Sequence, residues 1–240
     1  MANTYFQFKQ FTIEQQNCAM KVCTDACLFG AILADKIYRE QNKVSKLLDI
    51  GTGTGLLSLQ VVQKNSISID AVEIDQDSFE QAQQNFSNSP WSERVRIFNT
   101  DILDFNSDKK YDCIISNPPF YEGDLKSDNS KKNAAKHDST LKLEQLLQVI
   151  EKHLSPTGYF AVLLPYQRVD YFIELAAKFN YKVQEQLMIR PTDAHPFFRG
   201  ILFFSLAPTE FVTKQISIKD SNGNYTTEFV DLLKDYYLHL

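Results

Sequence analysis

An asparagine followed by two prolines and an aromatic residue, Asn117-Pro118-Pro119-Phe120, is the most specific chemical signal in the chain. It comes directly after a short apolar run, so we expect it to leave the end of a buried strand. Proline lacks an N–H, and neighbouring carbonyls therefore stay free to accept hydrogen bonds. The side-chain oxygen of Asn117 and the carbonyl of Pro118 could hold both N–H bonds of a planar amine.

That arrangement suits methyl transfer to an exocyclic amine, whose nitrogen lone pair is delocalised into a ring. Two acceptors would make the nitrogen more tetrahedral, and its lone pair would then point towards a sulfonium methyl group. Phe120 would stack on the flat ring, as in enzymes that extrude bases. Positioning and electrostatics would carry the rate, since the product ammonium is acidic. A plain strand-ending turn is the alternative, because Asn-Pro and Pro-Pro are common in turns.

A glycine-rich stretch, Gly51-Thr52-Gly53-Thr54-Gly55, follows an apolar run that contains Asp49. Glycines let the backbone turn tightly and approach a ligand closely, because they have no Cβ. The dinucleotide fingerprint would place its third glycine at the sixth position, where this chain has Leu56. The G-x-G-x-G pattern instead resembles motif I of the S-adenosylmethionine-dependent methyltransferases. A tight turn between a strand and a helix remains the simpler interpretation.

Two further carboxylates stand where a nucleoside would need them. Glu73 ends the next strand pattern, 22 residues after Gly51, which is the spacing at which a carboxylate meets ribose hydroxyls in such folds. Asp101 lies just past the third strand pattern and could accept a hydrogen bond from an adenine amino group. Together with the glycine loop, these residues favour a catalytic role for Asn117 over a plain strand-ending turn.

The elements that must position these residues alternate between strands and helices. Strands are predicted over 47–50, 67–75, 94–98, 111–116, 159–164, 181–189 and 200–206. The pattern predicts an α/β fold, a Rossmann-like, mostly parallel seven-stranded sheet with helices on both faces. The last two strands lack a helix between them, so they should pair antiparallel. We expect a single domain, with 1–45 as an N-terminal cover and helix and 46–240 as the catalytic core.

Composition is that of an ordinary soluble protein. The chain has 240 residues, of which 43% are hydrophobic and 23% charged, with a net charge of −5. That charge argues mildly against a chain that coats nucleic acid, although a local basic face remains possible. No apolar run is long enough for a membrane span, no secretory signal is visible, and the four cysteines match no zinc spacing. These features favour a cytoplasmic protein with reduced thiols and without a bound metal.

Nearly the whole chain, from about residue 5, resembles the bacterial tRNA-Val adenine-N6 methyltransferases. The resemblance rests on motif I, on Phe8-Lys9-Gln10-Phe11, on Met20-Lys21-Val22-Cys23-Thr24-Asp25 and on Asn117-Pro118-Pro119-Phe120-Tyr121. That family modifies the adenine at position 37, next to the anticodon. The resemblance implies S-adenosylmethionine as cofactor and tRNA as substrate, and we expect a monomer. Cys23 stands where the family usually has glycine, and Phe120 where it commonly has tyrosine.

Site residues follow from the same resemblance. The methionine end of the cofactor would be lined by Asp49, Gly51, Gly53 and Gly55. The ribose would bind Glu73, and the adenine would meet Ile74, Asp101 and Ile102. The site would be closed by Thr24 and Asp25 from the N-terminal side and by Asn117 from the catalytic side. RNA would bind the polar segment around Tyr121, Lys126, Lys131, Lys132 and Lys136.

Several other functions share these motifs. Protein-glutamine N5 methylation uses the same N-P-P loop, because a carboxamide nitrogen is also planar, and so does adenine-N6 methylation of ribosomal RNA or DNA. The short aromatic N-terminal segment favours a nucleic-acid substrate without deciding the question. A non-enzymatic alternative is a cofactor-binding RNA assembly factor, against which the intact Asn117 and Phe120 argue. Roles for His137 and His195 stay open.

Overall fold

The computed structural model describes residues 3–18, 20–40, 43–119, 141–207 and 210–240. Within these ranges the helices are α1 Thr24–Arg39, α2 Leu56–Lys64, α3 Gln76–Ser87, α4 Leu143–His153, α5 Val169–Ala177 and α6 Thr227–Leu233. The strands are β1 Tyr5–Gln7, β2 Thr12–Glu14, β3 Lys46–Ile50, β4 Ser68–Glu73, β5 Val95–Asn99, β6 Tyr111–Ser116, β7 Leu154–Pro165, β8 Lys182–Arg190, β9 Arg199–Ser205 and β10 Val212–Ser217. None of the described helices is long and apolar enough to cross a membrane.

Eight of the strands form one sheet in the order β10-β8-β9-β7-β6-β3-β4-β5. Successive side chains of a strand point to opposite faces, so Leu47 and Leu48 enter two different apolar clusters. One cluster includes side chains of α1, α2, α3 and α6, and the other includes those of α4 and α5. The predicted Rossmann-like sheet with helices on both faces is therefore confirmed.

The strand count differs from the prediction of seven. The additional strand, β10, pairs parallel with β8 at the edge of the sheet. Its first four residues are exposed, so they lack the apolar run that marks a buried strand in a sequence. The predicted antiparallel pairing is confirmed, since β9 runs antiparallel to both β7 and β8.

The N-terminal segment forms a short β1–β2 hairpin and packs against the end of the chain. Phe8 and Phe11 are buried, and their rings stack with centroids 4.6 Å apart. The Lys9 amide donates a hydrogen bond to the Tyr236 carbonyl at 2.8 Å. The cover therefore shares the core on one face of the sheet, and the boundary at residue 45 stays a prediction.

Candidate active site

The four strands that precede the predicted site residues all run parallel, and they lie side by side as β6, β3, β4 and β5. Their carboxyl ends therefore meet at one edge of the sheet. The glycine loop leaves β3 there, Glu73 ends β4, Asp101 follows β5 and Asn117 follows β6. The Ser116 hydroxyl donates to the Ile50 carbonyl at 3.0 Å and ties two of these ends together.

All three glycines of the loop have left-handed backbone conformations, with φ of +69° at Gly51, +56° at Gly53 and +82° at Gly55. A Cβ added at Gly51 or Gly53 would meet nothing within 4 Å. A Cβ at Gly55 would come within 2.4 Å of the Phe86 ring. Gly51 and Gly53 therefore border open space that a ligand can occupy, whereas Gly55 allows close packing of the loop on α3.

Glu73 connects the end of β4 to the glycine loop. Its Oε2 accepts a hydrogen bond from the Gly53 amide at 2.8 Å, and its Oε1 accepts one from the Asp75 amide at 3.0 Å. The side chain is largely buried, and each carboxylate oxygen retains a further lone pair. The next residue, Ile74, is 54% exposed and presents an apolar side chain beside this carboxylate.

Asp49 is fully buried beneath the loop. Its Oδ2 accepts hydrogen bonds from the hydroxyls of Thr52 and Ser58, both at 2.7 Å, while Oδ1 has no partner among the described residues. Burial raises the pKa of this carboxyl to about 6, against the lowering effect of the two hydroxyls. Sequence reasoning missed Thr52 and Ser58, although hydroxyl residues in a loop just after a buried aspartate are a usable signal.

The turn after β5 leaves Asp101 partly accessible to solvent but buries the side chain of Ile102. Asp101 is half-buried, and its Oδ1 accepts a hydrogen bond from the Leu103 amide at 2.9 Å. Ile102 is buried in the core, and Leu103 beside it is 41% exposed. Leu103 is therefore the exposed apolar side chain of this turn, and sequence reasoning did not single it out.

Asn117 is half-buried, and its side-chain Oδ1 is a buried acceptor without a hydrogen-bond partner among the described residues. Its Nδ2 lies 3.8 Å from the Met20 sulfur in the N-terminal cover. Pro118 is buried and Pro119 is exposed. Phe120, Tyr121, Lys126, Lys131, Lys132, Lys136 and His137 lie outside the described residues.

The N-terminal side of the site is held by an ion pair that the sequence did not predict. The Arg199 Nε donates to Oδ2 of Asp25 at 2.7 Å, and Asp25 is buried. Cys23 is the N-cap of α1 and makes no side-chain capping bond. The Asp25 side chain pairs with Arg199 and caps nothing at this helix start. Burial, followed by the charge of Asp25, raises the pKa of the Cys23 thiol to about 12.

His195 lies in the exposed loop between β8 and β9, where its Nδ1 is 2.7 Å from the Thr192 hydroxyl. Within the described part of the chain, no group of three or more His, Cys, Asp or Glu side chains is arranged to hold a metal ion.

Sequence comparisons with known proteins show the family, and a structural comparison shows the fold. A family model described as the methyltransferase small domain matches residues 29–181. The tRNA1(Val) (adenine(37)-N6)-methyltransferase of Dyadobacter fermentans is 41% identical over 98% of both chains. The enzyme of the same name from Pectobacterium carotovorum is 37% identical over 98% of this chain and 94% of its own. The crystal structure of a predicted O-methyltransferase from Agrobacterium tumefaciens superposes with a TM-score of 0.68 at 15% identity, covering 88% and 96% of the two chains, which shows a shared fold.

Proposed function

The chain belongs to the tRNA1(Val) (adenine(37)-N6)-methyltransferase family, and from that premise we propose that it transfers a methyl group from S-adenosylmethionine to N6 of an adenine in tRNA, namely A37 of tRNA1(Val). The observation that carries the proposal is the unpartnered, buried Oδ1 of Asn117 at the end of β6. A buried acceptor without a donor is costly, so a site that keeps one is suited to a ligand that supplies the N–H.

The residues around the glycine loop fit S-adenosylmethionine. Open space at Gly51 and Gly53 can receive the amino-acid end of the cofactor above the buried Asp49 carboxylate. Glu73 would accept the ribose hydroxyls through its remaining lone pairs. The adenine would pack on the exposed Ile74, with Asp101 accepting from its amino group. When bound, the cofactor supplies the electrophilic methyl group.

The chain's own residues then act by positioning. Asn117 Oδ1 and the Pro118 carbonyl would each accept one N–H of the target amine and direct its nitrogen lone pair to the methyl donor. These acceptors bind more tightly as positive charge develops on the nitrogen, so they stabilise the transition state more than the ground state. No basic side chain is required before transfer, because the product ammonium readily loses its proton to water.

Contacts to the rest of the RNA rest on the sequence alone. Phe120 would stack on the extruded adenine, and Tyr121 with Lys126, Lys131, Lys132 and Lys136 would meet the RNA around it. Asp25 and Thr24 would close the cofactor site from the N-terminal side. The ion pair of Asp25 with Arg199 would hold that part of the site in place.

The deciding experiment supplies the purified full-length protein with isotopically labelled S-adenosylmethionine and unmodified tRNA1(Val), then identifies the labelled nucleoside by mass spectrometry. We expect N6-methyladenosine as the labelled product, and no label in a transcript whose A37 is replaced by guanosine. Parallel reactions contain ribosomal RNA, DNA and a glutamine-containing protein substrate. Label in one of these and not in tRNA, or cofactor binding without any transfer, would refute the proposal.

A further inference from the structure

The sheet edge that carries Asn117 continues onto an aromatic surface that the proposed chemistry does not use. We name its three residues, Tyr166, Phe197 and Arg190, the aromatic platform. The ring centroids of Tyr166 and Phe197 are 5.6 Å apart, and the Arg190 guanidinium carbon lies 5.2 Å from the centre of the Phe197 ring. Tyr166 is 42% exposed, so the platform opens to solvent through its ring.

The platform lies at the same edge of the sheet as the proposed amine site. Strand β7 neighbours β6, and Val162 is the register partner of Ser116. Strand β7 then runs on to Pro165, which directly precedes Tyr166. Adjacent strands lie ~4.8 Å apart, and each residue adds ~3.3 Å along a strand. Tyr166 therefore lies about one strand to the side of Asn117 and roughly 10 Å further along the strand direction. Arg190 ends β8, three strands from β6 in the sheet order, which corresponds to roughly 14 Å.

Hydrogen bonds hold the platform in place. The Tyr166 amide donates to the Phe198 carbonyl at 3.1 Å, and the Phe198 amide donates to the Ile189 carbonyl at 2.9 Å. The Arg190 Nε donates to the Ser217 hydroxyl at 3.0 Å, and its Nη2 donates to Asp193 Oδ1 at 2.6 Å. The Nε and Nη2 donors of Arg190 are used by Ser217 and Asp193. Arg190 is therefore better suited to stacking through the flat face of its guanidinium than to binding a phosphate through its N–H groups.

We propose that the aromatic platform stacks unpaired nucleobases that flank the methylated adenine, an inference that rests on the proposed function. An adenine extruded into the site leaves its neighbours in the loop unstacked, and unstacked RNA bases bind to aromatic rings and guanidinium planes. The platform begins roughly 11 Å from Asn117 and extends along the same edge, where consecutive nucleotides of a single strand would pass. Stacking needs no phosphate contact, in keeping with the pairing of Arg190 to Asp193.

The test compares RNA binding by Tyr166→Ala, Tyr166→Phe and the Tyr166→Ala/Phe197→Ala double variant of the full chain. The matched control is Tyr38→Ala, because Tyr38 is 61% exposed, carries Lys64 5.4 Å from its ring centre and lies near the start of β3, at the opposite edge. The probes are tRNA1(Val) transcripts, intact or abasic at each position flanking residue 37. S-adenosylmethionine affinity and thermal unfolding are measured for every variant.

We expect Tyr166→Ala to weaken binding of the intact tRNA about 5- to 100-fold, the effect of losing one base–aromatic stack. Tyr166→Phe and Tyr38→Ala should bind like the wild type, and cofactor affinity should be unchanged throughout. The slope of log affinity against log salt should also be unchanged, because stacking releases no counterions. One abasic position should abolish the difference between the wild type and Tyr166→Ala.

Wild-type RNA affinity in a folded Tyr166→Ala would overturn the inference, and so would a loss of affinity with a reduced salt slope. Phe197 packs on the core, so if the double variant unfolds, the exposed Tyr166 position decides alone. RNA affinity that is unchanged while methylation of a protein falls would assign the platform to a protein partner and refute the inference. If the wild type binds tRNA but transfers no methyl group, the proposed function fails, and the binding comparison still tests the platform.

Discussion

The side-chain amide of Asn85 on α3 joins the N-terminal cover to the glycine loop through Glu14. Its Oδ1 accepts the Glu14 amide N–H, and its Nδ2 donates to the Glu14 carbonyl, both at 2.9 Å. The same Nδ2 donates to the Thr54 carbonyl at 2.9 Å. One buried side chain therefore sets the distance between the cover and the loop.

Asn85→Ala should destabilise the fold and weaken S-adenosylmethionine binding together, because it leaves one buried and two partly buried backbone groups without partners. We expect a loss of about 2–4 kcal/mol in the free energy of unfolding, measured by urea denaturation. Cofactor affinity is measured by calorimetry under conditions where the variant is folded. The control is Gln83→Ala, an exposed amide on the same helix. Unchanged cofactor affinity would show that the cover and the loop are independent.

The three loop glycines should respond differently to alanine. Gly55→Ala adds a clash with Phe86 to left-handed strain, and we expect it to destabilise the fold by more than ~2 kcal/mol. Gly53→Ala adds only the strain, and its methyl group enters open space, so its main effect should be on cofactor affinity. Gly223→Ala is the strain-matched control, with φ of +86° and no neighbour within 4 Å in a separate turn. Equal stability of all three variants would contradict the packing role of Gly55.

Glu73→Ala should weaken S-adenosylmethionine binding by about 1–3 kcal/mol, because a charge-assisted acceptor for the ribose is lost. The Gly53 and Asp75 amides also lose their acceptor, so the loop should become less ordered. Calorimetric titration measures the affinity, and Glu80→Ala, at an exposed position of α3, serves as the control. Wild-type affinity in Glu73→Ala would exclude this carboxylate from the ribose role.

The buried Asp49 predicts a pH dependence of stability. Its pKa of about 6 in the folded chain lies above that of an unfolded aspartate, so the folded state holds the proton more tightly. This group therefore favours folding increasingly as pH falls from above 6 towards 4, and its contribution is lost as pH rises through 6. Asp49→Asn should remove that trend, which amounts to about 3 kcal/mol at most.

Urea denaturation of the wild type, Asp49→Asn and the exposed control Asp108→Asn across this pH range measures the Asp49 contribution. We expect the stability difference between wild type and Asp49→Asn to change with pH, and the difference between wild type and Asp108→Asn to change less. Identical pH profiles for all three would show that Asp49 titrates as an ordinary aspartate.

Asn117→Ala should reduce the rate of methyl transfer more than the affinity for either ligand, because the lost contact tightens in the transition state. We expect a decrease on the order of 10²–10³ in single-turnover rate at saturating cofactor and tRNA, by analogy with the loss of one oxyanion-hole donor. Asn88→Ala, an exposed residue at the end of α3, is the control. A wild-type rate in folded Asn117→Ala would show that the N-P-P segment is only a strand-ending turn without a catalytic role.

Local pattern was enough for much of the architecture. Apolar runs, glycines and prolines are local features of the sequence. They correctly predicted the alternation of strands and helices and the antiparallel pair β8–β9. Because parallel strands share one carboxyl edge, the same features also predicted that Asp49, Glu73 and Asn117 lie near one another. The edge strand β10 was not predicted, because its exposed residues show no hydrophobic periodicity.

By itself, then, the sequence determined the fold class through short-range periodicity and the family through the resemblance of its motifs, and the motif spacing predicted the principal site positions. Only the tertiary structure decided which of these groups have partners. The Asp25–Arg199 pair spans 174 residues, and the bond from Asn85 to Glu14 spans 71. The different surroundings of Gly51 and Gly55 likewise depend on where α3 packs. Such contacts depend on how separate elements pack, and no local pattern of residues records them.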